Sequence, residues 1–402
     1  MKAKIAIIGG GASALFFATQ IDTQKFEVQI FEQKKTLGRK LLVAGNGGFN
    51  LTHSSPVNQL VKKYIPVEFL SDKLEQYDNL FFQHYLKELH IPTFIGSSKR
   101  VFPVPPIKPI EVLNELLKVI KEKDITIASA HKWQGWNADY TKLLFKTEND
   151  QKEVAFDMAV FCMGGNSWQK TGSNGHWLNI FQKAGITCHP FQSSNCEMLI
   201  DWSHSNIGLF AGTPLKNIAV KSSQQQVKGE LVVTKNGMEG NAIYALSNDV
   251  RTSLNTNGTA LVYLDLKPGI TIDKIIEKLA GFKNGNWTAH VKQQLKLTKV
   301  ALELIRFNSD KFTYTDPDQL AHLIKNIPLK IYALGPIDAA ISTVGGVALQ
   351  SVNAHFELQQ LPNQFVIGEM LDWDAPTGGY LLQGCFTMGT YLANYFNNKT
   401  VP

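Results

Sequence analysis

The pattern of apolar and polar positions changes character several times along the chain. Up to about residue 190, short apolar runs alternate with stretches of helical periodicity, a pattern typical of an α/β domain with a parallel sheet. From 197 to 266 short alternating β patterns dominate, and from about 270 to 325 the pattern is helical with charged faces. Apolar runs then return at 341–350 and 364–370. The pattern therefore predicts an α/β domain that is interrupted by inserted domains.

Within the α/β part, individual elements can be assigned from periodicity and turn residues. Residues 3–8 predict a buried parallel strand, the stretch 14–21 predicts a helix, and residues 27–32 predict a second strand. The further predictions are helices near 67–90 and 108–123, strands near 125–129, 142–147 and 154–163, and a long helix that starts at Gly378-Gly379. We expect the runs at 341–350 and 364–370 to be strands that return to the first sheet.

The first strand leads directly into a glycine loop, Gly9-Gly10-Gly11-Ala12-Ser13-Ala14. Glycines at this place make a tight turn and let the backbone approach a pyrophosphate, which rests on the positive end of the following helix. Glu32 ends the second strand about 20 residues downstream, where a carboxylate can accept hydrogen bonds from a ribose. The order of loop, strand and acid predicts a dinucleotide site, with an unoccupied strand-to-helix turn as the alternative. NAD and FAD both remain open at this point.

Composition and charge exclude several classes of protein. The chain has 402 residues, enough for two or three domains, and its net charge of +6 comes from scattered lysines without a basic stripe that nucleic acid would need. No run of 18 apolar residues occurs, and the four cysteines form no C-x-x-C pair. We therefore expect a cytoplasmic protein without nucleic-acid or membrane partners, without a metal site and without a redox-active dithiol.

Two further segments carry ligand chemistry. The loop GRKLLVAGNGGFNLT (38–52) combines Arg39 and Lys40 with glycines and asparagines, and such a loop can wrap a diphosphate and present backbone amides to a flat ring. Gly164-Gly165 follows an apolar strand, which permits close approach of a ligand or makes a plain strand-ending turn. Both segments are compatible with a large dinucleotide.

The segment GEMLDWDAPTGGYLLQG (368–384) distinguishes between the two dinucleotides. Gly378-Gly379 starts a helix whose unpaired amides attract negative charge, and a reduced flavin carries its charge at the N1/C2-carbonyl edge. Glu369 ends the preceding strand, where its carboxylate can hydrogen-bond a ribityl chain. Together, the two ends of the α/β part predict FAD.

These motifs carry a family resemblance that runs nearly end to end. The matching stretches are GGGASA (9–14), GRKLLVAGNGGFNLTH (38–53), RVFP (100–103), GGNSWQKTGSNG (164–175), GELVVTKNGMEGNAI (229–243), TVGGV (343–347) and the 368–384 segment. The chain resembles bacterial NAD(P)/FAD-dependent oxidoreductases, also described as aminoacetone-oxidase-type FAD-binding flavoproteins, which have the glutathione-reductase superfamily fold. The common family pattern has an arginine and a cysteine near 44–50, whereas this chain has AGNGGFN, which places it in the AGNGGFNLTH branch.

The resemblance implies an architecture of class α/β. An FAD-binding Rossmann domain is built from both chain ends, residues 1–190 and 342–402. A β-barrel-like domain, 191–268 and 326–341, interrupts it and itself carries a helical domain, 269–325.

The resemblance also implies a set of FAD contacts. It implies Gly9, Gly11, Ser13 and Ala14 at the pyrophosphate, Glu32 at the adenosine ribose, Arg39, Lys40, Asn46, Gly47 and Asn50 around the diphosphate and isoalloxazine, Glu369 near the ribityl chain, and Gly378, Gly379, Tyr380, Leu381 and Leu382 near the pyrimidine edge of the flavin. Trp133 is implied on the adenine side. The further implied cofactor contacts are Ala12, Gln33, Leu41, Leu51, Gly164, Gly165 and Gly368. Asp372 is expected to support the turn.

The expected activity is hydride transfer through flavin N5 to or from a small organic substrate. The substrate is either an activated double bond that is reduced or an amine that is oxidised. No second G-x-G-x-x-G unit occurs, so NAD(P)H, if it is the reductant, binds transiently. No acid or base is assigned, and His53, His176 and Tyr380 are the candidates. The alternatives are an FAD-linked RNA-modifying enzyme and a non-catalytic flavin-binding protein.

Overall fold

The structure, a computed structural model, describes residues 2–43 and 48–399. The chain divides into two compact units, of which unit 1 comprises residues 1–192 and 341–402 and unit 2 comprises residues 193–340. Each unit contains its own hydrophobic core.

The strands are, in chain order, β1 (Ala3–Ile8), β2 (Phe26–Phe31), β3 (Thr52–His53), β4 (Thr93–Ile95), β5 (Arg100–Pro103), β6 (Thr126–Ala128), β7 (Lys132–Trp136), β8 (Lys142–Lys146), β9 (Gln151–Ala155), β10 (Met158–Phe161), β11 (Cys188–Ser194), β12 (Met198–Leu199), β13 (Pro214–Lys221), β14 (Gln226–Val233), β15 (Gly237–Glu239), β16 (Ala260–Asp265), β17 (Ile327–Ile331), β18 (Ala333–Leu334), β19 (Ser342–Val347) and β20 (Gln364–Val366). The helices are α1 (Ala12–Gln20), α2 (Arg39–Val43), α3 (Val57–Leu60), α4 (Ser71–Gln76), α5 (Asn79–Glu88), α6 (Pro109–Glu122), α7 (Trp177–Lys183), α8 (Asn241–Tyr244), α9 (Ser247–Asn257), α10 (Ile272–Ala280), α11 (Trp287–Gln294), α12 (Lys299–Phe307), α13 (Lys311–Thr315), α14 (Pro317–Lys325) and α15 (Tyr380–Asn398).

The core of unit 1 is a five-stranded sheet in the order β20-β10-β1-β2-β6, and all its strand pairs are parallel. The apolar run of β1 is buried because it lies in the middle of this sheet with strands on both sides. Parallel strands end at the same edge, so the residues that follow β1, β2, β10 and β20 come together there. The predicted α/β class with a parallel Rossmann-like sheet is confirmed.

Helix α1 is apolar on every side, with seven buried residues from Ser13 to Thr19, because α15 covers the face that the sheet leaves open. Aromatic rings of the two helices pack edge to face. The ring centroids of Phe16 and Phe386 are 5.2 Å apart, and those of Phe17 and Phe396 are 5.5 Å apart. This packing holds the N-terminal glycine loop and the C-terminal helix in one core.

Four of the predicted elements differ from the structure. The strand predicted at 364–370 ends at Val366, and Gly368–Met370 forms a short 3-10 helix, so Glu369 lies beyond the strand end. The strand predicted at 154–163 is two strands, because the backbone turns at Asp157, whose carboxylate accepts the Lys4 N–H at 2.7 Å. The helix predicted at 67–90 breaks before α5, because the Asp78 side chain accepts the N–H groups of Leu80 and Phe81 and caps a new helix. The run 341–350 does not return to the first sheet: β19 pairs with β11 in a separate sheet.

Unit 2 contains a seven-stranded antiparallel sheet in the order β17-β16-β13-β14-β15-β12-β18. Helices α10, α12 and α14 contribute buried leucines and isoleucines to the same core as this sheet. The β pattern predicted over 197–266 and the helical pattern over 270–325 are both present, although α9 lies inside the first of them. The separate barrel-like and helical domain boundaries remain predictions.

Candidate functional site

The loop after β1 is built around glycines for steric reasons that differ from one position to the next. Gly9 has φ +99°, and a Cβ on it would lie 2.5 Å from the Cys162 carbonyl oxygen, so only glycine fits. A Cβ on Gly11 would meet only that same oxygen, at 3.8 Å. Open space at Gly11 is what close approach of a ligand requires.

Helix α1 begins with amides that its own backbone does not use. In the first intrahelical bond, the Leu15 N–H donates to the Gly11 carbonyl at 3.0 Å. The N–H groups of Ala12, Ser13 and Ala14 therefore have no intrahelical acceptor. The first turn holds no acidic residue. This helix start can therefore bind a phosphate group.

Glu32 lies at the carboxyl end of β2, beside the glycine loop. Its Oε2 accepts the Gly10 N–H at 2.7 Å and its Oε1 accepts the Lys34 N–H at 2.8 Å. Burial raises the pKa of the Glu32 carboxyl above its ordinary value, while these two hydrogen bonds and the charges of Lys34 and Arg39 act in the opposite direction. Each oxygen retains a further lone pair for a hydroxyl group.

Helix α2 connects the two ends of unit 1. The Lys40 Nζ lies 2.8 Å from both the Glu369 carboxylate and the Ser167 hydroxyl. Leu41 is buried in the core, whereas Arg39 is exposed and its guanidinium donates to Thr36 at 3.4 Å. Gln33 donates its side-chain amide to the Gly172 carbonyl. Asn46 and Gly47 lie outside the described residues.

The turn after β10 is held by side chains from its own unit. The Trp177 indole donates to the Gly164 carbonyl at 2.9 Å, and the Ser173 hydroxyl donates to the Gly165 carbonyl at 2.8 Å. A Cβ on Gly165 would collide with the Thr343 hydroxyl. Gly164 and Gly165 are thus packed against protein atoms. His176 is exposed.

The C-terminal segment brings its glycines against the N-terminal elements. Gly368 has φ +80°, and a Cβ there would collide with the Ser13 hydroxyl. Gly379 has φ +96°, and its Cβ would lie 2.5 Å from the Thr52 Cα. In the amide orientation that satisfies its neighbours, Asn50 accepts the Gly379 N–H at 2.5 Å and donates to the Gly48 carbonyl at 3.3 Å. Leu51 is buried next to this contact.

Helix α15 also starts with free amides. Its first intrahelical bond joins the Gln383 N–H to the Gly379 carbonyl at 2.9 Å, which leaves the N–H groups of Tyr380, Leu381 and Leu382 without an intrahelical acceptor. No acid lies in this first turn. Two helix starts without acidic or side-chain caps, at α1 and α15, therefore belong to one packed core.

Asp372 lies in the 368–384 segment and makes two side-chain hydrogen bonds. Its Oδ1 accepts the Gly345 N–H at 2.7 Å, and its Oδ2 lies 2.6 Å from Nδ1 of His189. Both bonds tie the 368–384 segment to β19 and β11.

Trp133 has a different environment from the other predicted contacts. It is buried, and its ring lies edge to face with Trp136 at 4.8 Å and with Phe161 at 5.3 Å. Its indole N–H has no hydrogen-bond partner within residues 2–43 and 48–399. The segment beside Glu32 is instead the end of β6: the His131 N–H donates to the Glu32 carbonyl at 2.9 Å, and the Glu32 N–H donates to the Ala128 carbonyl at 3.0 Å. The sequence did not predict these hydrogen bonds between Glu32 and the end of β6, because the end of β6 carries no motif residues.

Two negative findings apply to the described part of the chain. No group of three or more His, Cys, Asp or Glu side chains there is arranged to hold a metal ion. None of the helices described is both long and apolar enough to cross a bilayer.

Comparison with known proteins supplies the family. Residues 3–395 match the sequence profile of the family described as HI0933-like protein Rossmann domain. The chain is 24% identical to a 3-dehydro-bile acid delta(4,6)-reductase of Clostridium scindens, over 97% of this chain and 98% of that protein. It is 23% identical to a ribosomal RNA dihydrouridine synthase of Haemophilus influenzae, over 94% of each.

A solved structure shares the fold. The 3-ketosteroid-delta4-(5alpha)-dehydrogenase of Rhodococcus jostii RHA1 superimposes with a TM-score of 0.53 at 11% identity, covering 99% of this chain and 97% of that one. The profile match over nearly the whole chain shows that the chain belongs to the HI0933-like family of FAD-dependent Rossmann proteins.

Proposed function

We propose that the protein binds FAD in unit 1 and reduces a carbon–carbon double bond that is activated by a neighbouring carbonyl group, with NADH or NADPH as a transient reductant. The observation that carries the proposal is the pairing of two helix starts without acidic caps, at α1 and α15, in one core with the Glu32 carboxylate.

The described residues fit FAD. The open side of Gly11 and the amides of Ala12 to Ala14 suit the pyrophosphate, and the Glu32 carboxylate suits the adenosine ribose. The ion pair of Lys40 and Glu369 bridges α2 and the 368–384 segment, which supports a role for both side chains in orienting the ribityl chain. The amides of Tyr380 to Leu382 suit the pyrimidine edge. Bound FAD would supply hydride transfer at N5.

The direction of the reaction is inferred from the two relatives. The name of one describes reduction of delta(4,6) double bonds in a 3-dehydro bile acid, and the name of the other describes formation of dihydrouridine. In both named reactions a double bond near a carbonyl group is saturated. This shared chemistry favours reduction of an activated double bond over oxidation of an amine.

The test is an anaerobic spectral titration of the FAD-loaded protein. We expect NADH or NADPH to bleach the flavin, and a cyclic enone to restore its oxidised spectrum without oxygen. Restoration by none of a panel of enones, beside rapid bleaching by amines such as aminoacetone, would assign the oxidase reaction instead. Protein that takes up no FAD contradicts the whole proposal.

A second candidate has one specific observation behind it, the similarity to the ribosomal RNA dihydrouridine synthase. In this case the activated double bond is that of a uracil in RNA. Mass spectrometry of ribosomal RNA after incubation with the reduced holoprotein would show a gain of two hydrogens at a uridine. Binding that weakens steeply with salt would accompany it. Enone reduction without RNA modification favours the small-molecule substrate.

A further inference from the structure

Four residues form a cluster at the start of α15, and none of them is used in holding the fold of the glycine loop. The Tyr380 cluster consists of His53, Ser55, Arg100 and Tyr380. His53 of β3 and Arg100 of β5 are directly opposite each other in an antiparallel register, so their side chains share one face of that sheet. The His53 ring stacks on the Tyr380 ring at 5.1 Å between centroids, with 19° between their planes.

Hydrogen bonds fix the state of the imidazole. The Ser55 backbone N–H lies 3.2 Å from His53 Nδ1, and the Ser55 hydroxyl lies 2.8 Å from the same nitrogen. Because a backbone N–H can only donate, Nδ1 is an acceptor and the ring is neutral. Burial and the charges of Arg100, Lys63 and Lys99 lower the pKa of His53, which agrees with a neutral ring.

The same cluster acts on the Tyr380 phenol. Burial raises the pKa of Tyr380 above its ordinary value, and a hydrogen bond between the Ser55 and Tyr380 side chains and the charge of Arg100 reduce this rise. Arg100 is close to the helix start, since its Nε would lie 3.4 Å from a Cβ on Gly378. The Tyr64 hydroxyl donates to the Tyr380 carbonyl at 2.7 Å. The positive charge of Arg100 thus favours the phenolate form against the effect of burial, at the proposed pyrimidine edge of the flavin.

We infer that Tyr380 donates the proton that completes the proposed reduction, with Arg100 stabilising the phenolate and with Ser55 and His53 as positioning residues. The inference rests on the proposed function. Bound reduced FAD would supply the hydride that forms the C–H bond at the β-carbon of the enone, and the electron pair of the double bond would move toward the α-carbon and its carbonyl. The Tyr380 O–H bond breaks and its proton forms the α C–H bond. Water then returns a proton to the phenolate.

The first test follows a single half-reaction. FAD-loaded protein is reduced with dithionite and mixed anaerobically with the enone that best reoxidises the unsubstituted protein. Tyr380→Phe retains the stacked ring and removes the hydroxyl, so we expect reoxidation by the enone to slow about 100-fold, while reoxidation by oxygen is unchanged. Tyr85→Phe is the matched control, because it also removes a buried phenol hydroxyl, one that lies 2.6 Å from Thr19.

The second test does not depend on turnover. NMR of protein labelled at the tyrosine ζ-carbon, with Tyr380→Phe to assign the signal, gives the pKa of Tyr380 directly. Arg100→Gln removes the charge that favours the phenolate, so it should raise this pKa, whereas Lys118→Gln on the exposed face of α6 should leave it unchanged.

The outcomes separate the two levels of inference. If no enone reoxidises the unsubstituted protein, the proposed reduction fails and the role of Tyr380 fails with it. If the unsubstituted protein is reoxidised and Tyr380→Phe is equally fast, only the role of Tyr380 is overturned. A Tyr380 pKa that is the same in Arg100→Gln as in the unsubstituted protein overturns it as well.

Discussion

Both carboxylate oxygens of Glu32 already accept a backbone N–H, so the side chain is held in place before any ligand binds. Glu32→Gln retains the shape but replaces one acceptor oxygen by an amide donor. We expect FAD affinity to fall about 10- to 100-fold, the size of a lost hydrogen bond to a charged group. Fluorescence titration with FAD measures it, and Glu27→Gln on the exposed face of β2 is the control. Equal affinities in the two variants would exclude Glu32 from the ribose site.

The Lys40–Glu369 ion pair offers a second test at a single position. Its side chains are 28% and 14% exposed, compared with 58% and 35% for the Lys118–Glu115 pair on α6. Lys40→Met leaves a mostly buried carboxylate without its cation, so we expect the free energy of unfolding to fall by about 2 kcal/mol. Lys118→Met should change it by less than about 0.5 kcal/mol. Urea unfolding of both apoproteins gives the comparison, and equal changes would show that the bridge is not structural.

At the residue scale, the sequence was most informative where one residue type satisfies a local requirement. Gly9 is an example, since its positive φ and the nearby Cys162 carbonyl permit no side chain. The Tyr380 cluster could not be predicted as a unit, because His53, Arg100 and Tyr380 are brought together only by strand register and by the packing of α15. Trp133 lies in β7 and packs edge to face against Phe161, and its place near the adenine stays a prediction.

The loop that joins β1 to α1 contains two glycines, Gly9 and Gly11, that are needed for different reasons. Gly9→Ala places a Cβ against backbone at a positive φ, so we expect it to destabilise the apoprotein by at least about 2 kcal/mol. Gly11 has φ −81° and ψ −173°, which any residue adopts. Gly11→Ala should therefore keep the stability of the apoprotein within about 1 kcal/mol and lose FAD affinity at least about tenfold, because its methyl group occupies the approach to the pyrophosphate.

Thermal unfolding of both apoproteins and FAD titration of Gly11→Ala decide between the roles. A Gly11→Ala protein that binds FAD as tightly as the unsubstituted chain would mean that this helix start does not hold the pyrophosphate. A Gly9→Ala protein of unchanged stability would contradict the steric account of the turn.

Element boundaries were predictable where local chemistry dominates and failed where pairing does. Strand β1 is found at its predicted residues, because the charged residue before its apolar run and the glycine loop after it define both ends of the strand. Helix α5 begins at a new cap that periodicity alone does not reveal, since Asp78 interrupts an apolar pattern without changing its spacing. The partner of β19 is β11, which lies more than 140 residues earlier in the chain, so the local sequence does not reveal the pairing.

At the scale of the whole molecule, all the predicted FAD contacts belong to unit 1. Hydrogen exchange followed by mass spectrometry should show slower exchange on FAD binding in peptides that cover 9–14, 32–40 and 368–382. Peptides from the helices α10 to α14 of unit 2 should exchange at the same rate with and without FAD. Protection confined to unit 2 would contradict the placement of the cofactor.

The interleaving of the two units in sequence has a consequence for biosynthesis. When the ribosome has translated as far as residue 340, unit 2 has all its strands and helices, whereas unit 1 still lacks β19, β20 and α15. Helix α15 covers α1 and carries the amides proposed for the flavin, so the nascent N-terminal segment must wait with its apolar helix face uncovered. Cofactor capture would then be a post-translational event, and chaperone binding to stalled nascent chains should be strongest before residues 364–398 emerge.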